Sequence, residues 1–183
     1  MLNVTLDLSG KIVFITGIMA AGKSTIAEMF ARRLDRSVHL RGDVFRKMIV
    51  NGQEPMTSNP GEEAIRQLAL RYQLGVDTAL RYAAKEFAVI YQDIALGEYL
   101  PWIAGALRSE DYVFVLCPDV EAVRVREATR TKTGYRDFSP EQLDDGLRNN
   151  TERIGYWLDA TRLSPEETLD VMIAHLDEAR LST

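Results

Sequence analysis

The chain carries Gly17-Ile18-Met19-Ala20-Ala21-Gly22-Lys23-Ser24-Thr25, which satisfies every fixed position of G-x-x-x-x-G-K-S/T. That spacing builds a nest of backbone N–H groups around a nucleotide's phosphates. The flanks supply the context. Lys11-Ile12-Val13-Phe14-Ile15-Thr16 is a short apolar, β-branched run of the kind found in a buried parallel strand. After the loop, Ile26, Met29, Phe30 and Leu34 recur at helical spacing. A strand, a glycine-containing loop and a helix in that order separate a phosphate-binding loop from a mere turn with a solvated lysine.

The loop's chemistry assigns expected roles in holding a nucleotide's phosphates, with ATP the default nucleotide. Gly17 and Gly22 allow backbone conformations that a Cβ would obstruct. The amides around Ala20, Ala21, Gly22 and Lys23 are expected to point at the β-phosphate and to open the next helix, whose positive end favours an anion. Ile18 and Met19 complete the loop. Lys23 is the expected catalytic cation on the β- and γ-oxygens. The Ser24 hydroxyl is expected on Mg²⁺, with Thr25 nearer the α-phosphate.

At 183 residues the chain is one domain, and 46% hydrophobic residues are enough for a proper core. A net charge of −5 argues against broad nucleic-acid coating. The single cysteine, Cys117, ends an apolar run; it suits a reducing cytoplasm and a buried site rather than a nucleophile. His39 and His175 lack neighbours at metal-ligand spacing, which disfavours zinc. No secretory signal and no membrane span are expected.

The elements alternate. Strands are expected at 11–16, 38–41, 87–91, 112–116 and, briefly, 155–158. Helices are expected over about 23–34, 44–50, 61–85 and 98–107, the last interrupted by Pro101. On the long helix, Ile65, Leu68, Ala69, Tyr72, Val76, Ala79, Leu80 and Ala83 form one apolar face. Ser139-Pro140-Glu141-Gln142 and Ser164-Pro165-Glu166-Glu167 each announce a helix start by a capping box with proline at the first helical position. Alternation of this kind means an α/β fold, a parallel sheet with helices on both faces. Ligands of such sheets bind beyond the carboxyl ends of the strands, where the phosphate loop, Asp43 and Asp93 all fall.

The pattern excludes some nucleotide binders. Met19 breaks the dinucleotide fingerprint G-x-G-x-x-G, and no Asn-Lys-x-Asp guanine reader is present. A compact kinase remains, and it needs an acceptor-side acid, a carboxylate near the metal and a cationic lid. Asp43, just past the second strand, is the candidate base facing the γ-phosphate; a helix cap is its bland alternative. Arg46 is a candidate for an anionic group of the substrate. Asp93 closes Ala88-Val89-Ile90-Tyr91-Gln92-Asp93 and is the candidate metal carboxylate; its alternatives are a turn cap or an acceptor contact shared with Gln92. Arg124, Arg126, Arg130, Lys132 and Arg136 form a basic cluster, with Arg126 and Arg130 on one helical face as the expected phosphoryl clamp. The region around 120–138 is the expected mobile lid, and 43–85 the acceptor-binding region.

Four stretches, Gly17–Thr25, Gly42–Arg46, Val89–Gly97 and Arg126–Arg130, resemble the small phosphate-loop kinases of the nucleoside-monophosphate-kinase-like group, in particular the chloramphenicol phosphotransferase family. The resemblance implies a three-layer fold around a five-stranded parallel sheet of order 2-3-1-4-5, Mg²⁺–ATP as donor, and Asp43 as base. Gln92 departs from the doubly acidic strand end of that family. The expected partner is a small-molecule hydroxyl acceptor, with the chain a monomer or weak homo-oligomer. The rival readings are a polynucleotide or nucleoside kinase and a non-catalytic ATP-binding regulator.

Overall fold

The computed structural model describes residues 6–129 and 137–182. Strand β1 (Ile12–Gly17) is buried along its whole length and runs directly into the phosphate loop and helix α1 (Lys23–Arg32). Then come β2 (Ser37–Arg41), α2 (Asp43–Lys47), α3 (Glu62–Ala83), β3 (Ala88–Gln92), α4 (Tyr99–Ala106), β4 (Tyr112–Leu116) and α5 (Val120–Ala128). The chain ends with α6 (Pro140–Asn150), β5 (Tyr156–Leu158), α7 (Pro165–Ala174) and α8 (Leu176–Ala179). The five strands are parallel, in the order β2-β3-β1-β4-β5. Right-handed crossovers explain the layers. The β1–α1–β2 unit moves outward past β3, and the β2–α3–β3 unit returns, so α1 and α3 cover opposite faces.

The core is the continuous apolar run of β1, β3 and β4, with Phe14, Tyr91, Phe114, Ile12, Ile15 and Ile90 fully buried. Burying β1 and β4 on both faces leaves no alternation to read, as in central parallel strands generally. At the lower end of the sheet, the buried Asp111 carboxylate accepts from Ile12 N at 2.8 Å and from Arg108 Nη2 at 2.7 Å. This bond ties the start of β1 to the loop before β4.

Several expectations shift by physical causes. The third strand begins at Ala88 because Glu86 takes a left-handed conformation and Phe87 folds back edge-on to Tyr82. At its other end the strand runs on through Gln92, which is buried. Pro101 does not interrupt α4; it lies in the first turn, where its missing N–H has no intrahelical partner to lose. The buried face of α3 is rotated from the one expected: Ile65 is exposed, while Gln67 and Gly75 are buried. Gly75 has to be glycine, since a Cβ there would overlap the Tyr91 phenol. Both capping boxes form, at Ser139 with Gln142 and at Ser164 with Glu167. Among the described residues, no helix is long and apolar enough to cross a membrane.

Candidate active site

A cleft of about 560 Å³ opens at the carboxyl ends of the strands. Its floor is the phosphate loop, lined by Met19 to Ile26. Gly17 leaves β1 at φ 145°, and a Cβ there would run into the Leu116 carbonyl of β4. Ala20 holds a left-handed φ of 61°. Gly22 precedes α1 without any side-chain cap, so the first-turn amides of the helix are left for a ligand in the cleft. Lys23 is buried, and its Nζ donates to the Gly17 and Ile18 carbonyls at 2.8 and 2.7 Å.

Sheet register brings the opposite wall into place. Ile15 of β1 pairs with Gln92 of β3, and the Gly42 amide donates to the Gln92 carbonyl at 3.0 Å. The end of β3 and the β2–α2 turn are thus fixed beside the loop. The Gln92 amide lies against Ser24 Oγ, 3.2 Å from its nitrogen and 3.4 Å from its oxygen. Asp43 is the first residue of α2, with Gly42 at the cap position, and its carboxylate lines the cleft and is held by Lys47 and Arg41. Burial raises the Asp43 carboxyl, but the Lys47 hydrogen bond and the charges of Arg41, Lys47 and Arg71 outweigh it and hold the group below the usual carboxylate range.

Asp93 was expected at a metal. Its carboxylate is instead committed to Arg71 of α3: Nε donates to Oδ2 at 3.0 Å, and Nη2 donates to Oδ1. The reason is dielectric. A carboxylate with no exposed surface needs a counter-charge, and α3 delivers one. Burial pushes the Asp93 carboxyl up, opposed by Arg71 and the Ile94 amide. Burial also disfavours the Arg71 cation, but Asp93 outweighs it and holds the guanidinium charged. Asp93 packs against the turn that bears Asp43, and a Cβ on Gly42 would fall on its carboxylate.

The remaining expected residues separate. Arg126 crosses the cleft, with Nη2 donating to the Ala160 carbonyl at 2.6 Å and Nη1 to the Ala21 carbonyl at 3.4 Å. It stands beside Leu163, Pro165 and Thr168, which wall the other end. Arg124 is on the surface, paired with Glu121 and Glu141. Arg130, Lys132 and Arg136 lie outside the described residues. Arg46 bonds the Glu54 carbonyl, while Gln67 takes the Glu54 amide at 2.9 Å; together they strap the 48–61 loop to α2 and α3. Cys117 is buried, and burial pushes its thiol up. Arg71 escaped the sequence reading. The available signal was an arginine three residues after Leu68 and next to Tyr72, at the border of an apolar helix face.

A family model described as Zeta toxin matches residues 5–93, just under half of the chain. That span holds the phosphate loop, Asp43, Arg71 and Asp93. No curated protein matches the chain in sequence. Solved structures align over nearly its whole length. The APS kinase CysC of Mycobacterium tuberculosis, in complex with AMPPNP and APS, gives a TM-score of 0.65 at 19% identity, covering 92% of this chain and 98% of that one. A gluconokinase from Sinorhizobium meliloti gives 0.62 at 18% identity, covering 94% of each chain. The tunicamycin resistance protein of Deinococcus radiodurans gives 0.64 at 15% identity, covering 94% of this chain and 99% of that one. The chain shares the fold of these structures.

Proposed function

We propose that the chain is an ATP-dependent phosphotransferase that moves the γ-phosphoryl group onto a hydroxyl of a small molecule. The observation that carries this reading is the Asp43 carboxylate on the wall of the cleft whose floor is Lys23 and Ser24. A phosphate loop alone holds a nucleotide; an acid opposite it gives an alcohol somewhere to place its proton. The kinase fold shared with APS kinase and gluconokinase supports the same reading.

Bound Mg²⁺–ATP supplies the phosphoryl group and a divalent charge. Ser24 Oγ and the Gln92 amide oxygen, 3.4 Å apart, are neutral hard donors that would hold Mg²⁺, whose charge would offset that of the phosphates. The amides of the uncapped α1 terminus and the Lys23 ammonium hold the phosphates. Arg126 is assigned to the nucleotide at the Leu163–Pro165 end, and Arg130 keeps the role of phosphoryl clamp. Asp43 accepts a hydrogen bond from the acceptor hydroxyl and aims its oxygen at the γ-phosphorus. Lys47 and Arg41 make Asp43 a weak base. That suits a loose transition state, in which the hydroxyl proton leaves late and orientation contributes most. Asp93 positions Arg71 rather than binding metal.

Calorimetry with Mg²⁺–ATP and ADP release over a panel of sugars, nucleosides, chloramphenicol and an oligonucleotide test the reading. Binding heat that disappears in Lys23→Ala, with ADP release that requires a small alcohol, is expected. Nucleotide binding with no transfer to any alcohol would make the chain a non-catalytic binder and refute the proposal.

A further inference from the structure

In a chain of net charge −5, the acceptor end of the cleft is lined by two arginines, Arg41 and Arg71, with Asp43 and Asp93. Two further cations stand next to that lining: Lys47 pairs with Asp43, and Arg46 lies close enough to Arg71 to feel its charge. Among the described residues, the ion pairs of these four cations run to two acids, Asp43 and Asp93. Arg46 has no acid partner among the described residues; its guanidinium bonds only the Glu54 carbonyl. Burial and the nearby charge of Arg71 both disfavour its cation. Like charges gathered at a partly buried wall are unfavourable unless an anion completes them.

Arg71 is the member built to receive that anion. It is nearly buried, at 14% side-chain exposure, yet lines the cleft beside Asp43. A guanidinium has five N–H donors in a rigid fork. Asp93 takes one from Nε and one from Nη2, fixing the plane. Nη1 and the second Nη2 proton have no acceptor among the described residues. Arg41 stands on the same wall. The triphosphate has its own cradle in the loop amides and Lys23, so the open edge of Arg71 is left to the molecule whose hydroxyl meets Asp43.

We infer that the acceptor is a hydroxylated oxyanion, an alcohol carrying a carboxylate, sulfate or phosphate, and that Arg71, held by Asp93 and flanked by Arg41, binds that group. This rests on the phosphotransferase reading.

The test is ADP release by the whole chain with matched acceptors: gluconate against glucose, glycerate against glycerol, and nucleoside 5′-monophosphates against nucleosides, with chloramphenicol as a further neutral alcohol. The anionic member of the accepted pair should exceed its neutral partner by about 10–100-fold in kcat/KM, the range of a charge-assisted hydrogen bond. Arg71→Gln should bring that ratio to within about 3-fold by raising acceptor KM, while KM for Mg²⁺–ATP stays within about 3-fold of wild type. Arg71→Gln combined with Asp93→Asn removes both charges together, so no unpaired ion burdens the fold, and should give the same loss of discrimination. Equal or better use of neutral acceptors overturns the inference and leaves the phosphotransferase standing. So does an Arg71→Gln effect confined to Mg²⁺–ATP, which would place the arginine on the γ-phosphate. Failure of every acceptor overturns the phosphotransferase reading, and the inference with it.

Discussion

Gly42 and Asp93 lock the β2–α2 turn to the end of β3 at the cleft, and a double-mutant cycle measures that lock. Gly42 has φ −62° and ψ −29°, ordinary right-handed helical values that alanine adopts freely. Nothing in its backbone demands glycine. In a helix-like position Gly→Ala should stabilise by about 0.5–1 kcal/mol. The obstacle is steric: the new Cβ would fall on the Asp93 carboxylate, which Arg71 and the Ile94 amide hold in place. Either the Asp43 turn moves or the buried ion pair opens. Opening a buried pair costs about 3–5 kcal/mol, so Gly42→Ala should lose about 3 kcal/mol once the turn shares the strain. For a domain of this size that is a Tm lower by about 6–12 °C. In an Asp93→Ala background the overlaps with the carboxylate are gone, and a tight contact of 3.2 Å with the remaining Cβ is left. The same Gly42→Ala change should then fall within about 1 kcal/mol of neutral, most of its cost having disappeared. Urea denaturation of the four proteins reads the coupling. An equal cost of Gly42→Ala in both backgrounds would refute the interlock.

Asp43→Asn should lower kcat by about 10²–10⁴-fold and leave the Mg²⁺–ATP binding heat intact; loss of that heat would place Asp43 in the nucleotide site instead. Because Asp43 is held below its ordinary range, the active ionised form persists as pH falls through that range, and the acid limb of kcat/KM should lie below about pH 4. An Asp43-dependent limb near neutrality would contradict the Lys47 and Arg41 contacts. Asp111→Ala should cost about 2–4 kcal/mol in urea denaturation, because Ile12 N and Arg108 lose a buried acceptor, while turnover per folded molecule is unchanged. A selective loss of turnover would mean that the lower end of the sheet communicates with the cleft.

Much of the scaffold was written locally. The phosphate loop announces itself through the spacing of Gly17, Gly22, Lys23 and Ser24 between an apolar strand and an amphipathic helix. The capping boxes at Ser139 and Ser164 mark their helix starts by the same short-range logic. The position of Asp43 just past β2 was enough to place it at the binding end of a parallel sheet. In each case the information lies within a few residues, because backbone conformation and helix initiation are set over that range.

The partners of the buried polar groups were decided only in three dimensions. Gln92 meets Ser24 across 68 residues, and Arg71 meets Asp93 across 22. The first contact depends on the register of β1 against β3, the second on how α3 is rotated over the sheet. A strand's last residues read alike whether their side chains bind a metal or a guanidinium. The choice falls to burial: with no exposed surface, the Asp93 carboxylate requires a cation in contact, and the packed helix supplies Arg71. Local sequence determined the phosphate cradle and the sheet that presents it. The low dielectric of the folded interior decided which charges pair and which face the cleft.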